Sequence, residues 1–159
     1  MFGDHFYHST MRKSVAVFGT LFNNIQVVRK KADGSTINQI RVPLAYGPKE
    51  KYLARIDSSA TSSMGIKLPR MAFDITGITL DTTQKMAKRN IISETHGSDI
   101  TKKKTIKHYT SYDIGMSLYI LAKNQDDGLQ IVEQILPYFQ PEYNVTITPV
   151  EGFNYKQDV

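Results

Sequence analysis

Four histidines, His5, His8, His96 and His108, are the side chains in this 159-residue chain best suited to metal or acid–base chemistry. His5 and His8 are spaced i, i+3, so one helical turn could present both as ligands. They lie at an N-terminus without hydrophobic pattern, and no carboxylate or further histidine cluster completes a site, so an ordinary surface role is expected. The adjacent Asp126 and Asp127 could form a carboxylate pair. They stand just before an apolar-periodic run, however, where helix capping and compensation of the helix dipole account for them better. There are no cysteines, which excludes disulfides, thiolate metal sites and cysteine nucleophiles. The ten glycines form neither a dinucleotide-binding nor a P-loop pattern, and no nucleophile elbow is present. No catalytic, cofactor-binding or metal-binding residue is expected, and an enzyme has no positive support.

A basic stretch is the remaining candidate for specific chemistry. Lys85, Lys88, Arg89, Lys102, Lys103, Lys104 and Lys107 fall within residues 81–108, relieved by Glu94 and Asp99. As a hairpin arm they could neutralise phosphates. No aromatic residue interleaves with them before Tyr109, so a base-stacking platform is not indicated. A solvated loop whose lysines discourage edge pairing, and a docking surface for an acidic protein, are the other readings. The formal charge of +5 favours acidic partners without choosing among them.

The elements that must carry these residues follow from periodicity. In STMRKSVAVFGTLFN, Met11, Val15, Phe18 and Phe22 recur at helical spacing, Ser9 or Thr10 can cap the start, and Gly19 weakens the helix. NIQVVRKK, the Asp33–Gly34 turn and INQIRVPLAY form a hairpin, in which Pro43 marks an edge or an interruption. Pro48 suits the start of a short helix with Tyr52, Leu53 and Ile56 on one side. SSATSSMGIKLP is a loop and the best candidate for local disorder. MAFDITGITL is a strand whose apolar phase switches across Gly77, which suggests a bulge. YTSYDIGMSLYILAK alternates, with Tyr112, Ile114, Met116, Leu118 and Ile120 facing one way. In DDGLQIVEQILPYFQP, Asp126 or Asp127 caps a helix that buries Leu129, Val132, Leu136 and Phe139, with Ile131 and Ile135 beside them. Gln130, Glu133 and Gln134 are then left outside, and Pro137 ends the regular helix near Leu136. A last strand, YNVTITPV, places Tyr143, Val145 and Ile147 on one face. The helix from Asp126 is thus expected to be a lid over the sheet. Assembly surfaces are expected at the termini, the sheet edges and the basic connector.

This order predicts a single α+β domain over residues 1–159, with 81–108 as a polar basic connector within it. Its sheet should be mostly antiparallel and twisted, packed by an N-terminal helix, a short helix and a C-terminal amphipathic helix. MFGDHFYHSTMRKSVAVFG lacks the long apolar segment of a secretory leader, and no apolar run is long enough for a membrane span. A soluble protein without membrane contact is expected.

Three stretches together carry a family resemblance: FYHSTMRKSVAVFGTLFNNIQVVRK, IRVPLAYGPKEKYL and, most specifically, SLYILAKNQDDGLQIVEQILPYFQPEYNVTI. In this order the chain resembles the tail sheath stabiliser and completion proteins, or tail terminators, of contractile-tailed bacteriophages. The resemblance implies a virion structural protein without catalytic residues or cofactors, assembled in the host cytoplasm. It implies a hexameric ring of the chain itself on the tail tube. Its partners would be the tail sheath protein, the tail tube or a tube-terminating protein, and the head-side neck proteins. Family members usually continue past the position of Val159 with further strands, which implies a fragment, a shortened form or a compact member, with one sheet edge open if those strands are missing. A small nucleic-acid-binding module acting through residues 85–107, with DNA contact, is the alternative function.

Overall fold

The fold is built from segments in which local rules and burial coincide, and where they conflict the chain changes sheet. A computed structural model describes residues 5, 7–59, 66–83, 91–96, 99–107, 109–148, 150 and 156–158. The elements run α1 (Thr10–Leu21), β1 (Gln26–Lys30), β2 (Thr36–Arg41), β3 (Leu44–Tyr46), α2 (Lys49–Ser59), β4 (Arg70–Leu80), β5 (Ile91–His96), β6 (Asp99–Lys107), β7 (Tyr112–Leu121), α3 (Gln125–Ile135), a 3-10 turn (Leu136–Tyr138), β8 (Thr146–Ile147) and β9 (Gln157–Asp158). This is an α+β fold. Among the described residues its strands are distributed over four small sheets, β1–β2, β3–β4–β7, β5–β6 and β8–β9, instead of one. By contact density the chain divides into Met1–Asp74 with Ser117–Val159, and Ile75–Met116.

Pro43 is the point at which the second strand of the first hairpin leaves its sheet. β2 pairs antiparallel with β1 as far as Arg41, and after Pro43 β3 pairs parallel with β4, Leu44 beside Met71 and Tyr46 beside Phe73. A residue with no N–H cannot continue a ladder, but its carbonyl can still accept, and that of Pro43 takes a bond from the Met71 N–H at 2.9 Å. The interruption expected at this proline is therefore a switch between sheets. The expected loop 58–69 is replaced at its start by the end of α2, and residues 60–65 lie outside the described residues. β4 runs without a break through Gly77, and its burial does not switch face there. Met71, Ala72 and Phe73 are all buried, and from Thr76 to Leu80 the strand is exposed.

The core of the first unit joins α1, β1, β4 and α3. Phe22, Val27, Val42, Met71 and Ile131 form its buried centre, with Phe18, Ile25, Leu44, Leu118, Ile120 and Ile135 packed around it. An unbroken series of ring contacts runs through it. Tyr46 meets Phe73 edge-on at 5.4 Å, Phe73 meets Phe18 at 5.1 Å, Phe18 meets Phe22 at 5.0 Å, and Phe22 stacks on Phe139 at 6.2 Å. Gly19, which weakens α1 as a helix, has a packing reason: a methyl group there would approach the Phe73 ring to 3.3 Å. Ser9 occupies the N-cap position of α1 without a side-chain cap bond, and its carbonyl accepts from the Lys13 N–H instead. α2 is held by Tyr52, which is buried with the Arg70 guanidinium over its ring at 5.2 Å. The last expected strand is shorter than its pattern: among the described residues, only Thr146 and Ile147 are paired to β9.

The β1–β2 turn places Gly34 at φ 83°, a left-handed conformation that suits glycine. The Asp33 carboxylate accepts from the Ser35 hydroxyl at 2.6 Å and from the Ser35 N–H at 2.9 Å. These bonds, the hydroxyl foremost, hold the Asp33 pKa below its usual value. A carboxyl with a depressed folded-state pKa stabilises the fold fully above its unfolded pKa, and that contribution is lost as pH falls through the folded value. Unfolding stability followed from neutral pH into the acid range is accordingly expected to fall less for Ser35→Ala than for the unaltered chain.

Candidate functional site

The surface with the most evident unused chemistry is built by α3, and it faces opposite to the direction its sequence pattern suggests. The bond from the Val42 N–H to the Ile25 carbonyl sets the parity of the hairpin, so that the backbone groups of Gln26 and Val28 point away from β2. That open edge is taken by α3 side chains. Gln130 Oε1 accepts from the Val28 N–H at 3.1 Å, and Gln134 Nε2 donates to the Gln26 carbonyl at 2.9 Å. Arg29, on the same strand, donates from Nη2 to Asp127 Oδ2 at 2.6 Å and from Nε to Oδ1 at 3.3 Å. This pairing raises the Arg29 pKa, the hydrogen bonds first and the charge of Asp127 second. Two glutamines one helical turn apart thus do the work of a neighbouring strand, and a two-pronged ion pair fixes the helix along it.

The consequence is a rotation of the helix relative to expectation. At 3.6 residues per turn, Asp127, Gln130, Ile131 and Gln134 span about 100° of arc, and Leu129, Val132 and Leu136 are centred on the opposite side. Ile131 is 0% exposed and Asp127 2%, whereas Leu129 is 53% and Leu136 63% exposed. The expected buried stripe of Leu129, Val132, Leu136 and Phe139 is therefore the outward one. Of the residues assigned to the outside, Gln130 and Gln134 face β1, and only Glu133 is left without a bond to it among those described. Nor do Asp126 and Asp127 cap the helix. Asn124 holds the N-cap position without a side-chain bond, Asp127 pairs with Arg29, and Asp126 accepts from the Gln130 side chain at 2.8 Å. The regular helix ends at Ile135, and Pro137 lies in the 3-10 turn, as its missing N–H requires.

Beyond that turn the apolar surface continues. Tyr138, Phe139 and Tyr143 are all exposed, and with Leu21, Phe22 and Ile135 they line a groove of ≈ 630 Å³ beside the end of α1. The lid reading of α3 survives only for Ile131 and Ile135. Its outer face is an exposed apolar surface, where the sequence pattern had expected a polar one.

Of the seven basic candidates, Lys85, Lys88 and Arg89 lie outside the described residues, and the other four are on β6. β5 and β6 pair antiparallel, Glu94 beside Lys104, Thr95 beside Lys103, and Ile91 beside Lys107. Part of the polar connector is thus an ordered hairpin. Strand alternation puts Lys102 and Lys104 on one face with Glu94 and Ile106, and Lys103 and Lys107 on the other with Thr95 and Thr105. The basic residues are brought into one strand but not onto one surface. The hairpin was legible in the β-branched residues of IISET and TKKKTIK around His96-Gly97-Ser98-Asp99, a signal obscured by the lysines. Among the described residues, no group of three or more His, Asp or Glu is arranged to hold a metal ion, and no helix is long and apolar enough to cross a membrane.

Residues 5–159 match the family described as T4-like virus Myoviridae tail sheath stabiliser. The chain belongs to that family. It is 31% identical over 172 residues to the tail completion protein gp15 of Enterobacteria phage T4, an alignment covering 100% of this chain and 60% of that protein. The chain therefore spans about 60% of the length of that relative. The stretch around DDGLQIVEQILPYFQP, on which the family resemblance most depends, supplies the edge-sealing residues and the exposed apolar stripe together.

The rotated helix makes a direct prediction for this member of the family. Ile131→Ala should lower unfolding stability by about 2–5 kcal/mol, the range for emptying a buried aliphatic site. Leu136→Ala should stay within about 0.5 kcal/mol of the unaltered chain, as surface changes do. Gln130→Ala, which leaves the Val28 N–H without its acceptor, should cost about 1 kcal/mol. Urea unfolding midpoints check all three, and the reverse order for Ile131 and Leu136 would show that the helix is turned the other way.

Proposed function

We propose that this chain is a virion structural protein of a contractile-tailed bacteriophage, which terminates and stabilises the tail sheath and tube at the head-proximal end. It acts as a ring of its own copies, six by the family resemblance, and its partners are the tail sheath protein, the tail tube or a tube-terminating protein, and the head-side neck proteins. It works by binding and not by catalysis, and it is assembled in the host cytoplasm. The observation that carries this reading is the family match across residues 5–159. The name of the relative, a tail completion protein, supports it.

The distribution of apolar side chains is what such a role requires. Among the described residues, eight hydrophobic side chains are buried, and sixteen large ones are exposed. A protein that works by being built into a larger particle needs surface of this kind, which stays uncovered until its neighbours arrive. In the proposed role the lysines of β6 serve as docking charges for acidic protein surfaces. Among the described residues, their division between two faces gives no single track for a phosphate backbone, which favours protein docking over the nucleic-acid alternative.

Cryo-electron microscopy of tails purified from infected cells tests this proposal. Density for the chain is expected as a closed ring at the head-proximal end of the sheath. Tails assembled without it should carry sheaths of irregular length and fail to join heads. Density elsewhere in the particle, or tails of normal length and normal head attachment in its absence, would overturn the reading.

A further inference from the structure

Two grooves of different chemistry meet on the first unit, and a single carboxylate lies where they join. The groove beside the end of α1, ≈ 630 Å³, has Phe22 as a buried ring and Tyr138, Phe139 and Tyr143 as exposed ones. A second groove of ≈ 570 Å³ follows the seam between β1 and α3, lined by the carboxamides of Asn24, Gln26, Gln39, Gln130 and Gln134. Asn24, Glu133 and Gln134 line both. One groove thus offers rings and apolar carbon, the other offers hydrogen bonds. Among the described residues, Glu133 is the one charged side chain in either lining.

The carboxamides have bonding capacity left. Gln134 Nε2 donates to the Gln26 and Gln130 carbonyls, so its side-chain oxygen is left to accept. Gln39 Nε2 donates to Gln26 Oε1, which leaves Gln39 an acceptor and Gln26 a donor. Donors and acceptors side by side without charge match a polypeptide main chain. The electrostatics are one-sided. Residues 124–143 include Asp126, Asp127, Glu133 and Glu142 and no lysine or arginine. Two arginines of the β1–β2 hairpin are already engaged, Arg29 by Asp127, and Arg41 by the Asn23 carbonyl at 3.3 Å and Asn24 Oδ1 at 3.0 Å. Among the described residues, Glu133 has no ion pair.

We infer that these joined grooves receive an extended, arginine-bearing segment of the tail sheath protein. Its main chain runs along the carboxamides, the arginine stem lies on the rings, and the guanidinium pairs with Glu133. Arginine is the side chain whose flat, permanently charged head both stacks on rings and forks to a carboxylate. The chain already uses the first of these contacts internally, with the Arg70 guanidinium over the Tyr52 ring at 5.2 Å. A phosphate-rich occupant would be repelled by Glu133, and among the described residues no cation lines either groove. A neutral glycan could stack on the rings but would leave Glu133 without a counter-charge. The chain's own run Lys102–Lys104 is held in the β5–β6 hairpin, so a different protein supplies the extended segment. Naming the sheath protein as that source rests on the proposed function and on the family description as a sheath stabiliser, and deepens that reading. The chemistry of the grooves stands apart from it.

Fluorescence anisotropy of the full chain with a fluorescein-labelled valine–arginine–valine peptide tests the grooves, and the same peptide with citrulline, the neutral isostere of arginine, is its control. The arginine peptide is expected to bind at least about tenfold more tightly, from a ring contact and an ion pair together. Glu133→Gln should weaken its binding about fivefold and leave that of the citrulline peptide unchanged. Tyr143→Leu should weaken it about threefold, and Leu129→Ala, outside both grooves, should leave it as in the unaltered chain. Far-UV circular dichroism checks that each variant is folded, and Tyr138→Leu replaces Tyr143→Leu if that one is not. Equal binding of the two peptides, or undiminished binding to Glu133→Gln, would overturn the inference and leave the tail reading standing. So would competition by chitotriose at a lower concentration than the unlabelled arginine peptide, or binding of a labelled single-stranded oligonucleotide that Tyr143→Leu weakens. For the source, purified tails carrying photoreactive benzoylphenylalanine in place of Tyr138 are expected to show a cross-link to an arginine-bearing segment of the sheath protein. A cross-link to a second copy of the chain, or none at all, would overturn that assignment. Tails that lack the chain would remove the proposed function, and the peptide measurement then still decides what the grooves bind.

Discussion

The open edge of β1 is the constraint to which the rest of the first unit answers. Its Val28 N–H and Gln26 carbonyl point away from β2, and a strand edge left bare is both a site of unwanted pairing and a loss of hydrogen bonds wherever water is excluded. α3 closes that edge with side chains in place of a backbone. Gln130 accepts, Gln134 donates, and the Asp127–Arg29 pair prevents sliding along the strand. Once those three contacts are made, the helix has no rotational freedom left. Ile131 must enter the core beside Val27 and Met71, and Leu129, Val132 and Leu136 must face out.

The same constraint links the helix to the other end of the chain. Ile131 and Ile135 pack on a core that includes Phe22 at the end of α1, and Phe22 continues by ring contacts through Phe18 and Phe73 to Tyr46. On the other side it stacks on Phe139, which contacts Tyr143 at 6.4 Å. The series starts on exposed Tyr46 and ends on exposed Phe139 and Tyr143, with buried Phe73 and Phe22 and half-buried Phe18 between them. Edge and offset ring contacts favour definite angles, so a shift of one terminal ring is resisted by the next. The exposed Tyr138–Tyr143 segment is in this way positioned by the core although little of it is buried.

Much of this was legible from residue types alone, because the deciding physics is local. Pro137 ends the helix, Pro43 ends the β2 pairing, and Asp33–Gly34 turns the hairpin, each by backbone chemistry that no distant contact can override. The helix face was not legible. Apolar periodicity assumes that burial is decided by the hydrophobic effect, and on that assumption Leu129, Val132 and Leu136 should win over a glutamine pair. They lose because the surface opposite the helix is a strand edge, which needs donors and acceptors more than it needs leucines. Only the partner strand reveals that need, and it lies about 100 residues away in the sequence. The β5–β6 hairpin was obscured for the opposite reason. Its lysines suggest a connector, yet the β-branched residues between them are sufficient for pairing.

A helix that leaves an apolar stripe uncovered faces a problem that this arrangement resolves. A helix docked by its apolar face would be stable alone but would offer only polar surface to a partner. A helix held mainly by apolar contacts while exposing further apolar residues could roll, since such contacts are not directional. Holding it by hydrogen bonds and an ion pair removes that ambiguity, because those contacts fix direction as well as distance. The outward leucines can then remain uncovered without competing for the core. At this helix glutamines and an aspartate direct the packing within the chain, and the leucines and tyrosines stay at the surface. A change at Gln130 or Gln134 would therefore free the helix to turn and alter which of its side chains reach the surface.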